Sequence, residues 1–343
     1  MKIIALKILI LGGTSFLGPH LVEELHEHGH EVTLFNRGTH NTPFSSAVEQ
    51  LHGDRDGNLQ SLLDRRWDAI IDTSGHLPRV VENSSKILAA ATSHYTFIST
   101  IGVYENFHKI GIDETYSLAK LDDEKNEEIT EKTYGALKAL CEDVIRRYFP
   151  SKSLIIRPGL IVGPLDPTDR FTYWPVRIAE GGDVLVPGKP TQNLQLIDAR
   201  DLAKWIVVMV EQKATGTYNA TGPATSLTFD QLLRECQKFS KKNSTIHWVD
   251  EDFLIQHDVK DWVELPLWLS SVRNMPGFLN INAQKAIQAG LTFRPIASTI
   301  SSLLEWNSSR GNIAKQAGLD REKEKKLLQL WKSKKTNTSN DKF

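Results

Sequence analysis

Lys7-Ile8-Leu9-Ile10-Leu11-Gly12-Gly13-Thr14-Ser15-Phe16-Leu17-Gly18 is the stretch from which the rest of the chain is read. Ile8 to Leu11 is an unbroken apolar run, as a strand buried on both faces requires. From Leu17 to His28 the apolar residues take helical spacing, so strand, glycine turn and helix follow one another directly. Glycine at 12 permits the tight turn, glycine at 18 lets the helix lie close to the strand, and the amides at the helix start suit a pyrophosphate. The middle position of this spacing is Ser15, whose Cβ narrows the gap while its hydroxyl can donate to a phosphate. Gly12, Thr14, Ser15, Phe16, Leu17 and Gly18 are therefore the first candidate binding residues.

Outward from this turn, β-branched apolar runs alternate with helical stretches as far as about Pro158. Strands are expected at Lys7-Leu11, Glu31-Phe35, Val48-Leu51, Trp67-Asp72, Tyr95-Ser99 and Leu154-Arg157. Helices are expected at Leu17-His28, Asn58-Arg65, Arg79-Ala91 and Tyr134-Tyr148. That alternation predicts an α/β fold, a doubly wound parallel sheet of the Rossmann kind. After Pro158 proline and glycine become frequent, and five of the eight tryptophans lie beyond residue 240, which suggests a smaller C-terminal substrate lobe. Leu194-Ala203 and Gly216-Ala220 look strand-like and would return to the first sheet. The expected division is 1–165 plus 191–220 for the dinucleotide domain and 166–190 plus 221–331 for the lobe, with 332–343 a frayed polar tail.

Composition narrows the field. The 343 residues are 40% hydrophobic and 24% charged, which excludes disorder, collagen and coiled coil as global descriptions. Lys and Arg number 41 against 42 Asp and Glu, a net charge of -1, so no broad basic face awaits a polyanion. Cys141 and Cys236 stand far apart without metal spacing, so a reducing cytoplasm is expected, with neither a disulfide framework nor a metal site. The Lys2-Leu11 stretch reads as the buried first strand and not as a targeting signal, because Lys7 interrupts it and Gly12-Gly13 follows. No apolar run is long enough to span a membrane.

Three of the seven tyrosines have a lysine four residues on: Tyr116/Lys120, Tyr134/Lys138 and Tyr148/Lys152. The second pair opens the best helix in the chain, with Leu137, Leu140, Cys141, Val144, Ile145 and Tyr148 as one stripe, and i,i+4 residues share a face. A lysine cation there lowers the tyrosine pKa and fits it for proton exchange. Tyr95 to Ser99 ends a strand in two hydroxyls, Ser99 and Thr100, at the sheet edge where ligands bind. His26-Glu27-His28-Gly29-His30 resembles a metal tract, but histidines two apart on a helix diverge. Arg170, Tyr173, Trp174 and Arg177 form a cation-aromatic cluster that suits either a planar anionic substrate or a structural surface.

Together these pieces resemble the extended short-chain dehydrogenase/reductase superfamily, in its NAD(P)-dependent epimerase/dehydratase group. The ordered set comprises the Gly12-Ser15-Gly18 turn, Gly53-Asp54, Ser99-Thr100 with Val103-Tyr104, Tyr134-x-x-x-Lys138 with Glu142, Arg157-Pro158 with Gly163-Pro164, Asp201-Leu202-Ala203 and Tyr218-Asn219. The subgroup is reductase-like, similar also to chloroplast stem-loop RNA-binding relatives. The resemblance implies that Tyr134 is the general acid/base, that Lys138 binds the nicotinamide ribose and tunes Tyr134, and that Thr100 hydrogen-bonds the reacting oxygen. It further implies that Asp54, with Arg55 after it, meets the adenine, that Ser99 borders the cofactor, and that Pro158 lies against the nicotinamide.

Departures from the family pattern carry information too. Ile101 and Gly102 stand where 4,6-dehydratases have the Asp-Glu of the elimination step, which disfavours dehydration. Leu160 and Leu194 replace the Asn and Arg that hold a sugar nucleotide's diphosphate, which disfavours that substrate. After the second strand, Asn36 is neutral where NAD-specific enzymes are acidic, and Arg37 can pair with a 2'-phosphate, so NADP(H) is the expected cofactor with NAD(H) the other choice. The expected function is hydride transfer between that cofactor and a small carbonyl or alcohol. Epimerisation with retained cofactor is the nearest alternative, and RNA binding on the same fold is the rival of a different class, with the net charge against it. A homodimer is compatible with this reading.

Overall fold

The computed structural model describes residues 4–39, 44–123, 125–311 and 315–340. In chain order the first elements are β1 (Lys7–Leu11), α1 (Leu17–Glu27), β2 (Glu31–Asn36), β3 (Glu49–His52), β4 (Ala69–Asp72), α2 (Pro78–Leu88), β5 (Tyr95–Ile98), α3 (Tyr134–Tyr148), β6 (Ser153–Pro158) and β7 (Ile161–Val162). Then come α4 (Tyr173–Glu180), β8 (Gly182–Pro187), β9 (Asn193–Asp198), α5 (Ala199–Glu211), β10 (Gly216–Ala220), β11 (Gly222–Thr228), α6 (Phe229–Lys238) and β12 (Ser244–Val249). The chain ends with α7 (Glu251–Gln256), α8 (Gln284–Gln288), α9 (Ile296–Ser309) and α10 (Arg321–Asn340).

Seven strands form one sheet in the order β10-β6-β5-β4-β1-β2-β3, every neighbouring pair parallel. The alternating residues of β1 show why its sequence is apolar throughout. Ile8 and Ile10 join Leu21 and Leu25 of α1 and Ile206 of α5 in one core, while Leu9 and Leu11 join Val81 and Leu88 of α2 and Val144 of α3 in the other. The strand order reverses direction between β1 and β4, which places the ligand crevice of such a sheet at their carboxyl ends.

Contacts divide the chain into two compact units. One holds the described residues up to Ile161 together with Leu196–Ala224 and Ile281–Phe293; the other holds Val162–Gln195, Thr225–Asn280 and the residues from Arg294 onward. The segment 281–293 belongs with the sheet for a visible reason. Ala286 and Leu291 are buried in the β1-side core, and the Asn219 side-chain amide donates to the Asn282 carbonyl at 3.1 Å. In the second unit β8 and β12 form a parallel pair, and the Arg177 guanidinium is buried in an ion pair with Glu324 of α10.

Three sequence expectations are corrected. Asn58-Arg65 is a three-residue 3-10 turn at Gln60–Leu62 and not a helix. Leu194-Ala203 is strand only to Asp198, whose carboxylate accepts from the Arg200 amide and starts helix α5. The stretch expected to fray from residue 332 continues helix α10 to Asn340, while 341–343 lie outside the described residues. Lys332, Lys334 and Lys335 are good helix formers, and Trp331 just before them is buried.

Candidate active site

The glycine turn is held open by its neighbours. The Gly12 amide donates to the Phe35 carbonyl at 2.9 Å, the Gly13 amide to Thr73 Oγ1 at 3.2 Å, and the Thr73 hydroxyl to the Leu11 carbonyl at 3.0 Å. Gly12 has φ 92°, and a Cβ on Gly18 would lie 2.3 Å from the Gly13 carbonyl carbon, so a side chain is excluded there. Phe16 takes φ 45°, a strained conformation for a bulky residue of the kind that gathers at binding sites. Helix α1 begins with no side-chain cap and no acidic residue in its first turn, so its positive end faces the turn uncovered. Ser15 is exposed, and Thr14 half-buried, on this rim. These features fit the pyrophosphate of a dinucleotide.

At the end of β2, the Asn36 carboxamide oxygen accepts from the Gly38 amide at 2.8 Å and Arg37 is exposed. Asp54 is exposed as well, its carboxylate closing a turn on the Asp56 amide at 2.9 Å. Arg55 departs from expectation. Its guanidinium is buried, donating to Asp72 at 2.8 Å and to Ser84 Oγ at 2.8 Å, so it is not offered to an adenine. Asp72 is wholly buried and also accepts the Tyr95 hydroxyl at 2.9 Å. Burial alone would raise its carboxyl, but the Arg55 charge outweighs that and holds it below the ordinary range. Arg55 is the counter-ion that makes this aspartate tolerable in the core.

Tyr134 opens α3 and Lys138 follows one turn later. The Lys138 ammonium is buried, donates to the Gly75 carbonyl at 2.6 Å and the Ile98 carbonyl at 2.8 Å, and lies 4.1 Å from the centre of the Phe97 ring. Desolvation lowers its pKa to about 8. Thr100 caps the turn at Ile101–Val103, its Oγ1 accepting from the Gly102 amide at 3.0 Å. Gly102 sits between the two hydroxyl residues: a Cβ there would lie 3.3 Å from Thr100 Oγ1 and 3.9 Å from Tyr134 Cδ1. Pro158 is buried at the carboxyl end of β6.

The other two Tyr/Lys pairs are committed elsewhere. Tyr116 donates to Asn106 at 2.9 Å, Tyr148 donates to Glu82 at 2.9 Å, and Lys152 is fixed on the Ala89 and Thr92 carbonyls. Ser99 is a second correction, because its hydroxyl donates to Glu142 Oε1 at 2.6 Å inside the core and not toward a ligand. Arg157 holds the same carboxylate at 2.6 and 2.9 Å and also donates to the Tyr104 hydroxyl at 3.2 Å, which in turn donates to the Asn219 side-chain oxygen at 2.6 Å.

Sequence reasoning missed His76, four residues past the end of β4. Its ring stands 6.4 Å from that of Tyr134, centre to centre, and is exposed. The available signal was position alone, at the carboxyl end of a sheet strand beside the reversal point.

The histidine tract also differs from expectation. Helix α1 stops at Glu27, so His28 and His30 leave the helical spacing and both reach Glu211 of α5, at 2.9 and 3.0 Å. Because His30 Nδ1 accepts the Leu6 amide, its Nε2 carries the proton and donates to Glu211, an arrangement that leaves that nitrogen no lone pair for a metal. The Arg170 cluster is largely core. Trp174 is buried with its indole nitrogen on the Pro266 carbonyl, Arg177 is buried against Glu324, and Arg170 stacks over Trp262.

Among known proteins, residues 8–221 match the NAD dependent epimerase/dehydratase family. The chain is 31% identical over 255 residues to the chloroplast stem-loop binding protein of 41 kDa b of Arabidopsis thaliana, covering 68% of this chain and 62% of that protein's length. Similar folds include the Bordetella bronchiseptica enzyme WbmH in complex with NAD+, with TM-score 0.66, 16% identity, and coverage of 90% of this chain and 100% of that one. UDP-glucuronic acid 4-epimerase from Bacillus cereus in complex with NAD is similar at TM-score 0.65 and 16% identity, over 89% of this chain and 100% of that one. Among the described residues no helix is long and apolar enough to cross a membrane.

Proposed function

The chain belongs to the NAD dependent epimerase/dehydratase family, and from that premise we propose that it is an NADP(H)-dependent oxidoreductase acting on a small carbonyl or alcohol. When bound, the nicotinamide supplies or accepts the hydride. Tyr134 passes its hydroxyl proton to the carbonyl oxygen in reduction, and Thr100 steadies the same oxygen with its own hydroxyl. Lys138, mostly cationic at pH 7 with its pKa near about 8, favours the phenolate that Tyr134 becomes. The turn from Gly12 to Gly18 with the start of α1 would hold the pyrophosphate, Asp54 would meet the adenine, and Arg37 would meet the 2'-phosphate.

One observation carries this reading: of three Tyr-x-x-x-Lys pairs, only Tyr134/Lys138 lies at the carboxyl ends of β4 and β5 with Thr100 beside it. Buried Leu194, in place of an arginine, argues against a nucleotide-sugar substrate. The test is NADPH oxidation against a panel of small aldehydes and ketones. Tyr134→Phe is expected to lose about 100-fold or more of turnover with NADPH affinity unchanged. Wild-type activity retained by Tyr134→Phe would overturn the assignment, and NAD(H) retained through purification, seen by native mass spectrometry, would favour epimerisation. The stem-loop binding named for the Arabidopsis relative is the second reading, and a gel-shift with a stem-loop RNA probe separates it from turnover.

A further inference from the structure

The first turn of α2 holds a cation from which the helix gains nothing. Arg79 follows Pro78 at the start of this helix, where the positive end of the helix dipole disfavours a positive side chain, and no acidic residue in the first turn offsets it. Its guanidinium instead joins two loops that are distant in the chain. It donates twice to Glu127, from Nε at 2.8 Å and from Nη2 at 3.0 Å, and twice to Asp56, from Nη1 and, at 3.1 Å, from Nη2. A single ion pair as half-exposed as these contributes little, but two forked pairs on one guanidinium form a network of fixed geometry. The hydrogen bond to Arg79 is the main reason that both carboxyls lie below their ordinary range.

Each carboxylate belongs to a turn on which the site depends. The Asp56 amide donates to the Asp54 carboxylate at 2.9 Å, and Asp54 and Asn58 exchange backbone hydrogen bonds at 2.9 and 2.8 Å, so the turn that presents Asp54 is closed around Asp56. Next to Glu127, the Glu128 carbonyl accepts from the Thr133 hydroxyl, which accepts the Thr130 amide at 2.9 Å, and the Thr130 carbonyl accepts the Tyr134 amide at 3.0 Å. Hydrogen bonds and neighbouring residues thus lead without a break from Asp54 through Arg79 to the first residue of α3. We propose that Arg79 is a positioning residue that ties the adenine end of the cofactor site to the start of α3, so that a nucleotide filling the first steadies the second. A ligand that favours the closed Asp54 turn adds its binding free energy to that form, and Arg79 passes the preference on.

The proposal rests on the cofactor reading, which expects adenine at Asp54, and amide hydrogen exchange tests it without turnover. The probe is adenosine 2',5'-bisphosphate, which carries the adenine end of NADP and no nicotinamide. At saturation in the unaltered protein it should slow exchange of the Thr130, Thr133 and Tyr134 amides by about fivefold or more, the lower end of ordinary coupling between sites. In Arg79→Gln, again at saturation, slowing should persist at the Asp54, Asp56 and Asn58 amides and be lost at the other three. Arg65→Gln, which removes a similarly exposed ion pair with Glu49 at the start of β3, should leave the whole effect in place. Slowing at Thr130, Thr133 and Tyr134 that survives in Arg79→Gln, or that is absent when the unaltered protein is saturated, overturns the link. If the nucleotide does not bind, the cofactor reading fails by itself and Glu127→Ala decides the link: faster exchange at Asp54, Asp56 and Asn58 supports it, and unchanged exchange there overturns it.

Discussion

The Ser99 hydroxyl donates to Glu142 at 2.6 Å, while its neighbour Thr100 turns outward from the core to cap the next turn of chain. Two adjacent hydroxyls thus have separate duties. Thr100→Val, which preserves shape and removes the hydroxyl, should lower turnover and, with the cap on the Gly102 amide lost, cost about 1 kcal/mol of stability. Ser99→Ala should cost a similar amount, roughly 1 kcal/mol in urea unfolding, while sparing turnover. Equal losses of turnover in the two variants would return Ser99 to the substrate.

The buried carboxylate at the centre of that network supports a larger effect. Glu142 is wholly buried and accepts from Ser99, Arg146 and Arg157; burial would raise its carboxyl, but the bond to Arg157 prevails and lowers it. Glu142→Gln leaves the Arg157 cation in the core without its counter-charge, and a loss of about 3 kcal/mol in urea unfolding is expected. A loss below about 0.5 kcal/mol, the range of surface substitutions, would show that Arg157 finds water instead.

The proposed preference for NADP(H) rests on Arg37. Arg37→Ala should weaken NADPH by about tenfold or more and leave NADH nearly unchanged, the scale of one charge-assisted phosphate contact. Equal weakening of both cofactors would place the guanidinium on the adenine. Tighter binding of NADH than NADPH by the unaltered protein would end the NADP(H) preference.

His94 sets an acid limit on stability. It is buried beside Thr96 at 3.0 Å, and desolvation, with the Lys213 charge, lowers its pKa to about 4 from an ordinary 6.5. Between those values the unfolded chain binds the proton and the folded one does not, so stability present above pH 6.5 falls as pH drops toward 4. The loss from this group approaches about 3 kcal/mol below pH 4. His94→Gln should flatten the slope of thermal midpoint against pH in that window, and an unchanged slope would assign acid sensitivity elsewhere.

Local signals explain what was legible in the sequence. The apolar run of β1, the glycine turn and the stripe of α3 each lie within a dozen or so neighbouring residues, and the strands Lys7–Leu11 and Gly216–Ala220 and helix Tyr134–Tyr148 stand at the expected bounds. Arg55 and Ser99 were misread because their partners, Asp72 and Glu142, are distant in the chain and meet them only in the folded core. The start of α5 had a local signal, Asp198 before Leu202, Trp205 and Ile206, which the apolar run before it obscured. His28 and His30 depended on where α1 ends, a boundary that periodicity fixes poorly.

The all-parallel sheet has a consequence for the chain's synthesis. A parallel pair cannot close through a hairpin, so each strand waits for a crossover to be made before it finds its neighbour. The last strand, Gly216–Ala220, seats on Ser153–Pro158 only after residues 162–195, which belong to the other unit, have left the ribosome. Throughout that interval a nascent chain carries the β6 edge, Leu154, Ile155 and Ile156, without its partner. Such an edge is a template for a second chain, and a polysome brings many copies close together. The order of strands therefore makes the time spent translating residues 159 to 215 the time for which this edge stands unpaired.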